Sequence, residues 1–268
     1  MTSAFGGYCE STLQRLAQAS SLSYLSIDKM VSSPYYEPCK LEPIQQVIDP
    51  ESESGATIFR VLDDSDSNGK QKLVVAMRGS ANPKNFGTNL KFNLVPANRL
   101  SQNFIPEDAL VHDGFQTASV GLWKVLSQPL ATQLRDTTDI VFTGHSLGAA
   151  TALLCATHYK SSFNGPLPSI ITFGGPKLCN SALARHLRNE ALGGSNILHL
   201  VHYKDPVLAN NAKLWDSLGF EDVGIELQCD PYSPKVLSEG ESSAGGFAWN
   251  ILDHCQYMGV FVGPRAQF

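Results

Sequence analysis

The stretch DIVFTGHSLGAATALLCATHYK, residues 139–160, decides the fold. Its first eight residues are a short apolar run whose composition is typical of a buried strand. The rest is rich in small and apolar residues at helical spacing. Ser146 stands at the junction, with Gly144 two residues before it and Gly148 two residues after it. The stretch therefore predicts a strand that turns sharply into a helix at a serine.

The two glycines have a steric reason to be in such a turn. Side chains two residues before and after the serine would collide with each other or with the neighbouring strand, and glycine removes the collision. The turn exposes the hydroxyl of Ser146 at a helix N-terminus, where developing negative charge is favoured. The backbone N–H of Leu147 then points toward an oxyanion. The short pattern G-x-S-x-G can also arise by chance in a chain with 22 glycines, so the interpretation depends on this context.

The segments on the C-terminal side of this turn alternate between strand and helix patterns. They predict a buried strand at 169–175, a helix at 182–192, and a third strand at 196–207 that stops at Pro206. On the N-terminal side, residues 114–134 have helical spacing. Such alternation predicts an α/β fold with a mostly parallel central sheet and helices on both faces.

The N-terminal third is less regular. Apolar runs at 56–62 and 72–77 flank a polar segment and predict a hairpin. Residues 11–31 predict one or two helices, whereas 32–55, with four prolines, predicts a loop with a short strand. Residues 81–111 contain no clear long element. We find no internal repeat, so the simplest prediction is one domain over residues 1–268.

The composition excludes several classes of function. Of the 268 residues, 43% are hydrophobic and 17% are charged, the net charge is −5, and no Lys/Arg-rich run suggests a nucleic-acid partner. No apolar run approaches the ~18 residues of a membrane span. The N-terminus lacks the pattern of a secretory signal, and there is no N-x-S/T sequon. We therefore expect a cytoplasmic protein, or a secreted one if a signal has been removed.

The chain has six cysteines, and none of them forms a C-x-x-C pair. Zinc and thioredoxin-type chemistry therefore lack their spacing, and we expect reduced thiols. Asp64, Asp66, Asn68 and Gly69 spell the first half of an EF-hand loop. The twelfth position of that loop should be a bidentate Glu, but it is Val75 here. We interpret the segment as a polar hairpin turn that binds no metal.

A serine nucleophile needs a base, and the base needs an acid that orients it. On this fold the chain order is serine, acid, histidine. Asp205 lies at the end of the third predicted strand, and open α/β sheets place their sites at strand carboxyl ends. His254 is the only one of seven histidines that follows it. Other acids stay possible, namely Asp216, Glu221, Asp222, Glu226 and Asp230, whereas Asp253 is awkwardly adjacent to the base. We expect His145 to be structural, and His199 and His202 to be packed in their strand.

Six motifs together point to one family: MRGS (77–80), VHDGF (111–115), TGHSLGAA (143–150), FGGPKLCN (173–180), YKDPV (203–207) and DHCQYMG (253–259). In order and spacing they resemble the class 3 lipases, the family of filamentous-fungal triacylglycerol lipases and feruloyl esterases. The resemblance runs from about residue 15 to 258. It implies an α/β-hydrolase fold, a triad of Ser146, Asp205 and His254, and an oxyanion hole formed by Ser80 and Leu147. Ala149 departs from a common glycine of the family.

These patterns predict a serine ester hydrolase, an acylglycerol lipase or esterase that acts on acyl-ester or lipid substrates. It would form an acyl-enzyme intermediate and need no metal or organic cofactor. A feruloyl-esterase-like enzyme, another esterase of soluble esters and an acyltransferase are alternatives. A non-catalytic lipase-like binding module is the rival from another class.

The resemblance also implies a lid, a short helix after Ser80. Residues 81–95, ANPKNFGTNLKFNLV, occupy that place, and Pro83 suits the first position of a helix. Phe86 and Leu90 are four residues apart and would share one face. Most of the other residues are polar, so we expect only transient contact with a lipid interface through this lid.

Overall fold

The computed structural model describes residues 8–62, 70–79, 93–101, 104–238 and 252–264, with the side chains of 209–212 left aside. In chain order the described strands are β1 (Leu41–Ile48), β2 (Gly55–Val61), β3 (Gln71–Met77), β4 (Leu94–Pro96), β5 (Leu110–His112), β6 (Thr137–His145), β7 (Ser169–Phe173), β8 (Ile197–Val201), β9 (Ile225–Gln228), β10 (Gln256–Tyr257) and β11 (Val260–Phe261). The described α-helices are α1 (Glu10–Leu22), α2 (Ile27–Met30), α3 (Tyr36–Cys39), α4 (Asp113–Gln133), α5 (Leu147–Ser162), α6 (Ser181–His186) and α7 (Pro206–Ser217).

The central sheet has seven described strands in the order β1-β2-β3-β6-β7-β8-β9. The first three are antiparallel neighbours, and the strands from β3 to β9 are parallel. The predicted hairpin is confirmed in its strands, since β2 pairs with β3 from Ala56↔Met77 to Arg60↔Leu73. Its turn, with the EF-hand-like residues 64–69, lies outside the described residues. The predicted sheet is thus correct: mostly parallel, with an antiparallel edge.

Helices cover both faces of this sheet because its strands are apolar on both sides. On one face, Leu122 and Leu126 of α4 pack with Val75 and Phe142 in a buried cluster that also includes α5. On the other face, Leu16 of α1 packs with several strand residues, among them Phe59, Val74, Ile171 and Phe173. Each large apolar side chain that is fully buried contributes about 2 kcal/mol. The two clusters hold the strand ends, and with them the loops that follow, in fixed positions.

The third predicted strand is shorter than expected. β8 ends at Val201, and Pro206 is the first residue of α7 rather than the end of a strand. Proline suits this position because its missing N–H would have no partner in the first turn of a helix anyway. The prediction that Asp205 ends the strand is therefore wrong in detail, since Asp205 is the N-cap of α7.

Both ends of the sheet also differ from expectation. β1 is an eight-residue strand where a loop with a short strand was expected, and its register shifts between Pro43 and Gln45. Proline cannot donate to a ladder, so an edge strand with an irregular register accommodates it. β9 was not predicted, because it is a mostly exposed edge strand with little apolar pattern. The predicted helix 182–192 continues from α6 into a π-helical turn, Leu187–Ala191.

The cysteines all lie in the described ranges, and none forms a disulfide. Cys9 is exposed and the other five are buried. Hydrogen bonds from Ser11 and Thr12 lower the pKa of Cys9 to about 7, whereas burial raises the pKa of Cys255 to about 12. Among the helices that the structure describes, none is both long and apolar enough to cross a membrane. The described residues also contain no cluster of three or more His, Cys, Asp or Glu side chains suited to a metal ion.

Candidate active site

Ser146 lies in the turn between β6 and α5, in a backbone conformation that few residues adopt. Its φ is 59° and its ψ is −125°, in a region strongly disfavoured for residues with a Cβ. Its N–H donates to the carbonyl oxygen of Phe173 at 3.0 Å, which ties the turn to β7. The serine therefore sits in the sharp strand-to-helix elbow that the sequence predicts.

The glycines beside Ser146 are required by contacts within this elbow. A Cβ on Gly144 would overlap the carbonyl group of Gly148. A Cβ on Gly148 would lie 2.5 Å from the carbonyl oxygen of Met77 on β3. Both parts of the steric explanation are correct. A side chain at position 144 would collide with Gly148, and a side chain at position 148 would collide with β3.

Asp205 is held by four hydrogen bonds, two to each carboxylate oxygen. Its Oδ1 accepts from the N–H groups of Val207 at 2.9 Å and Leu208 at 3.2 Å, as an N-cap does. Its Oδ2 accepts from Nδ1 of His254 at 2.7 Å and from the hydroxyl of Tyr257 at 2.5 Å. The carboxylate is fully buried and every lone pair has a partner, so its position is fixed on both sides.

The ionisation of Asp205 follows from these partners. Burial alone would raise its pKa, but the neighbouring His254 and the hydrogen bonds from His254 and Tyr257 lower the pKa to about 2. The acid is therefore a carboxylate at neutral pH. A carboxylate at Nδ1 fixes the histidine tautomer that leaves Nε2 as a proton acceptor.

His254 lies in a short 3-10 turn, Asp253–Cys255, and its side chain is fully buried. Its Nε2 has no hydrogen-bond partner among the described residues. The ring of His145, which precedes Ser146 in the chain, lies 4.6 Å from the His254 ring between centroids. The structure thus joins Asp205 and His254 directly and brings the elbow segment against the histidine.

The residues predicted to bind the oxyanion are only partly described. Leu147 is the first residue of α5, so its N–H belongs to the unpaired donors of a helix N-terminus. Ser80 lies outside the described residues, as do Phe86 and Leu90. Gly79, just before Ser80, is described, and a Cβ there would lie 2.6 Å from the carbonyl oxygen of His145. The MRGS segment therefore reaches the elbow itself.

Only the C-terminal end of the expected lid segment is described, and it is a strand. Residues 81–92 are outside the described residues, but Leu94 and Val95 belong to β4, which pairs with β5 through Val95↔Val111. Two apolar side chains beside a partner strand, one of them the β-branched Val95, favour this ladder over a helix. The short helix expected to begin at Pro83 lies outside the described residues and stays a prediction.

Several site residues were missed by sequence reasoning. Tyr257 lies three residues after His254 in a motif that was noted, but its bond to Asp205 was not predicted. Tyr24 carries no sequence signal at all, although its hydroxyl contacts the elbow through His145 at 3.1 Å. His199 is packed in its strand as expected, with Nδ1 2.6 Å from the hydroxyl of Thr172, and His112 caps α4.

Comparisons with known proteins agree with this picture. The family model described as Lipase (class 3) matches residues 74–211. Phospholipase A1-II 1 of Oryza sativa subsp. indica is 29% identical over 211 residues, which cover 72% of this chain and 50% of that protein. Secreted mono- and diacylglycerol lipase A of Penicillium camembertii is 27% identical over 142 residues, 50% of this chain and 41% of that protein. The chain spans about half the length of the curated relatives it matches first.

Solved structures show the fold. The triacylglyceride lipase of Rhizomucor miehei superposes with a TM-score of 0.73 at 22% identity, over 94% of this chain and 95% of that one. A triacylglycerol lipase described as having a serine protease triad as its catalytic centre superposes with a TM-score of 0.70 at 23% identity, over 94% and 95% of the two chains. The expected α/β-hydrolase fold is thereby confirmed.

Proposed function

The chain belongs to the class 3 lipase family, and we propose from this premise that it is a serine hydrolase of acyl esters. One observation carries the proposal. A buried, ionised Asp205 holds Nδ1 of His254 at 2.7 Å, and the opposite nitrogen of that ring has no partner among the described residues. Ser146 lies in the strained turn between β6 and α5, directly after His145, whose ring packs against the ring of His254. This combination supports a nucleophile, base and acid in the roles of Ser146, His254 and Asp205.

The proposed reaction has two halves. Ser146 Oγ attacks the ester carbonyl carbon while His254 Nε2 takes the hydroxyl proton, and Asp205 stabilises the imidazolium that forms. His254 then gives the proton to the departing alcohol, which leaves an acyl-enzyme. Water attacks the acyl carbon, again losing its proton to His254, and the proton returns to Ser146 as the acid leaves. In this proposal the N–H groups of Leu147 and Ser80 bind both oxyanions; one such donor contributes about 3 kcal/mol.

Labelling with a fluorophosphonate probe tests this function directly. We expect one adduct per chain, located by peptide mass spectrometry on the peptide that contains Ser146, because the probe needs an activated serine. Heat-denatured protein serves as the control and should stay unlabelled. A folded protein whose Ser146 remains unmodified would be a lipase-like binding module, not an enzyme.

Phospholipids are a second candidate substrate class. The rice relatives named phospholipase A1-II match 72% of this chain, whereas the mono- and diacylglycerol lipases match about half of it. A panel of monoacylglycerol, diacylglycerol, triacylglycerol and phosphatidylcholine, with fatty acid release as the readout, separates the classes. Adding alcohols as acceptors to the same panel measures acyl transfer.

We propose weak interfacial activation, with short and medium acyl chains or partial glycerides preferred to long-chain triglyceride emulsions. One face of the helix expected in the lid segment offers two large apolar residues, Phe86 and Leu90, and burying each gives only about 2 kcal/mol. A solved fungal lipase–inhibitor complex serves as a model for interfacial activation in lipases, so the effect has a precedent in this fold.

Tributyrin hydrolysis through the solubility limit measures this activation. We expect the initial rate to rise less than tenfold when droplets appear, since so small an apolar face binds an interface weakly. Hydrolysis of a fully soluble ester under the same stirring is the control. A tenfold or larger rise would contradict weak activation and indicate a lipase that depends fully on an interface.

The single domain over 1–268 and the cytoplasmic location stay predictions. The fungal relatives are named as secreted proteins.

A further inference from the structure

A chain of hydrogen bonds runs behind the site, from the end of α1 to the histidine of the triad. The hydroxyl of Tyr24 lies 3.1 Å from Nδ1 of His145. On the opposite side of that ring, Nε2 lies 2.7 Å from the carbonyl oxygen of His254. The three residues are far apart in sequence, and the proposed reaction described above uses neither Tyr24 nor His145.

The direction of each bond is fixed by its partners. A carbonyl oxygen only accepts, so Nε2 of His145 carries the proton and donates it. Burial, reinforced by the neighbouring His254, lowers the pKa of His145 to about 3. The ring is therefore neutral at any working pH above that value. Its Nδ1 must then be an acceptor, and the hydroxyl of Tyr24 donates to it.

The same tyrosine oxygen touches a third part of the site. Gly79 lies directly against it, since a Cβ on Gly79 would overlap the hydroxyl. Gly79 directly precedes Ser80, and His145 directly precedes Ser146. One hydroxyl thus joins the segment before Ser80, the segment before Ser146 and, through His145, the backbone of His254.

We propose that Tyr24 and His145 are positioning residues for the ester hydrolysis, which rests on the function proposed above. They set the distance between the elbow and His254 and hold the segment that leads to Ser80. Displacements of about 1 Å between reacting groups can cost about 100-fold in rate. The pair therefore acts on the chemical step and leaves ester binding unchanged.

Tyr24→Phe tests the proposal because it removes only the hydroxyl. We expect kcat to fall about tenfold, which corresponds to the loss of one hydrogen bond, with KM changed less than twofold. Rates are divided by the number of sites that a fluorophosphonate titrates to completion. A merely structural role would lower the melting temperature or the number of titrated sites, but not the rate per titrated site.

Tyr159→Phe is the matched control. Tyr159 also donates its hydroxyl to a polar acceptor, the carbonyl oxygen of Pro166 at 3.2 Å, and a Cβ on Gly165 would overlap that hydroxyl. It lies on α5, far along the helix from the elbow. We expect kcat per titrated site within twofold of the parent. If Tyr24→Phe behaves as this control does, the positioning role is wrong.

The hydrogen-bond chain itself can be tested even if the parent does not hydrolyse esters. Nitrogen-15 NMR of the histidine rings should show His145 as the neutral tautomer with its proton on Nε2. A proton on Nδ1 of His145 would contradict the hydrogen-bond chain, and this result does not depend on whether the proposed function is correct. In an active parent, His145→Gln combined with Tyr24→Phe should lose little more than the worse single variant. Fully additive losses would show that the two residues act separately.

Discussion

Replacing Ser146 with alanine is expected to reduce ester hydrolysis by about 10⁴-fold or more, because the loss of one triad member removes nearly all the covalent chemistry. The fold should survive. Alanine keeps the same Cβ in the same strained turn, so the exchange removes only Oγ from a backbone already hydrogen-bonded to Phe173 and Ala149. The expected signature is an inactive protein with an unchanged melting curve.

The measurement is kcat/KM on a soluble nitrophenyl ester, with circular dichroism to follow unfolding. Ser119→Ala is the matched control, since Ser119 is also a buried serine but lies within α4, where its hydroxyl donates to the carbonyl oxygen of Gln116 at 3.0 Å. That variant should lose about 1 kcal/mol of stability and no activity. If Ser146→Ala retains activity within tenfold of the parent, the nucleophile lies elsewhere.

Replacing His254 with alanine should be nearly as severe as replacing Ser146, and the double variant should be scarcely worse than either. In the proposed reaction the three residues act as one unit, so we expect their losses not to add. Asp205→Asn should also lose several orders of magnitude, because an amide favours the wrong imidazole tautomer. It should still fold, because an asparagine oxygen can accept from Val207 and Leu208 as an N-cap does.

Kinetics of the single and double variants on one ester decide this prediction. His186→Ala is the control, because Nδ1 of His186 also contacts a carboxylate, that of Glu190 at 3.1 Å, but at the end of α6. It should leave kcat/KM within twofold of the parent. Losses that multiply fully in the double variant would show that His254 is not the base for Ser146.

The elbow could be predicted because its requirements are local. Gly144 and Gly148 meet each other within five residues of chain, and the apolar strand and small-residue helix beside them are equally visible in the sequence. The parallel core of the sheet follows from the same patterns. Edge strands are harder: β1 carries a proline and β9 is mostly exposed, so neither has the apolar composition of a central strand.

The sequence argument for Asp205 as the acid is only partly correct. Asp205 was expected at a strand end, but β8 ends at Val201 and the carboxylate is held by the first turn of α7. The prediction still placed Asp205 at the correct edge of the sheet. The loop after a parallel strand begins at the carboxyl end of that strand, even when the strand is shorter than predicted. A pattern of apolar residues cannot reveal where the last ladder bond forms.

Tyr24 could not be predicted because its contact with His145 spans 121 residues. A single tyrosine after a helix is no signal in one sequence. Tyr257 is intermediate: its spacing from His254 is fixed by a short turn, yet only the folded chain shows that both side chains reach the same oxygen of Asp205. Contacts that depend on how α1 docks on the sheet require the tertiary structure.

The uneven exposure of the six cysteines makes the protein suited to site-selective conjugation. Cys9 is exposed with a pKa lowered to about 7, so a maleimide would react with it at neutral pH while the five buried thiols stay shielded. Its neighbours Tyr8 and Thr12 line a hollow with Lys72 and Asp139, near the starts of β3 and β6. Ser146 follows the opposite, carboxyl end of β6. A dye or a solid support attached through Cys9 would therefore face away from the edge of the sheet that carries Ser146, with no engineered residue required.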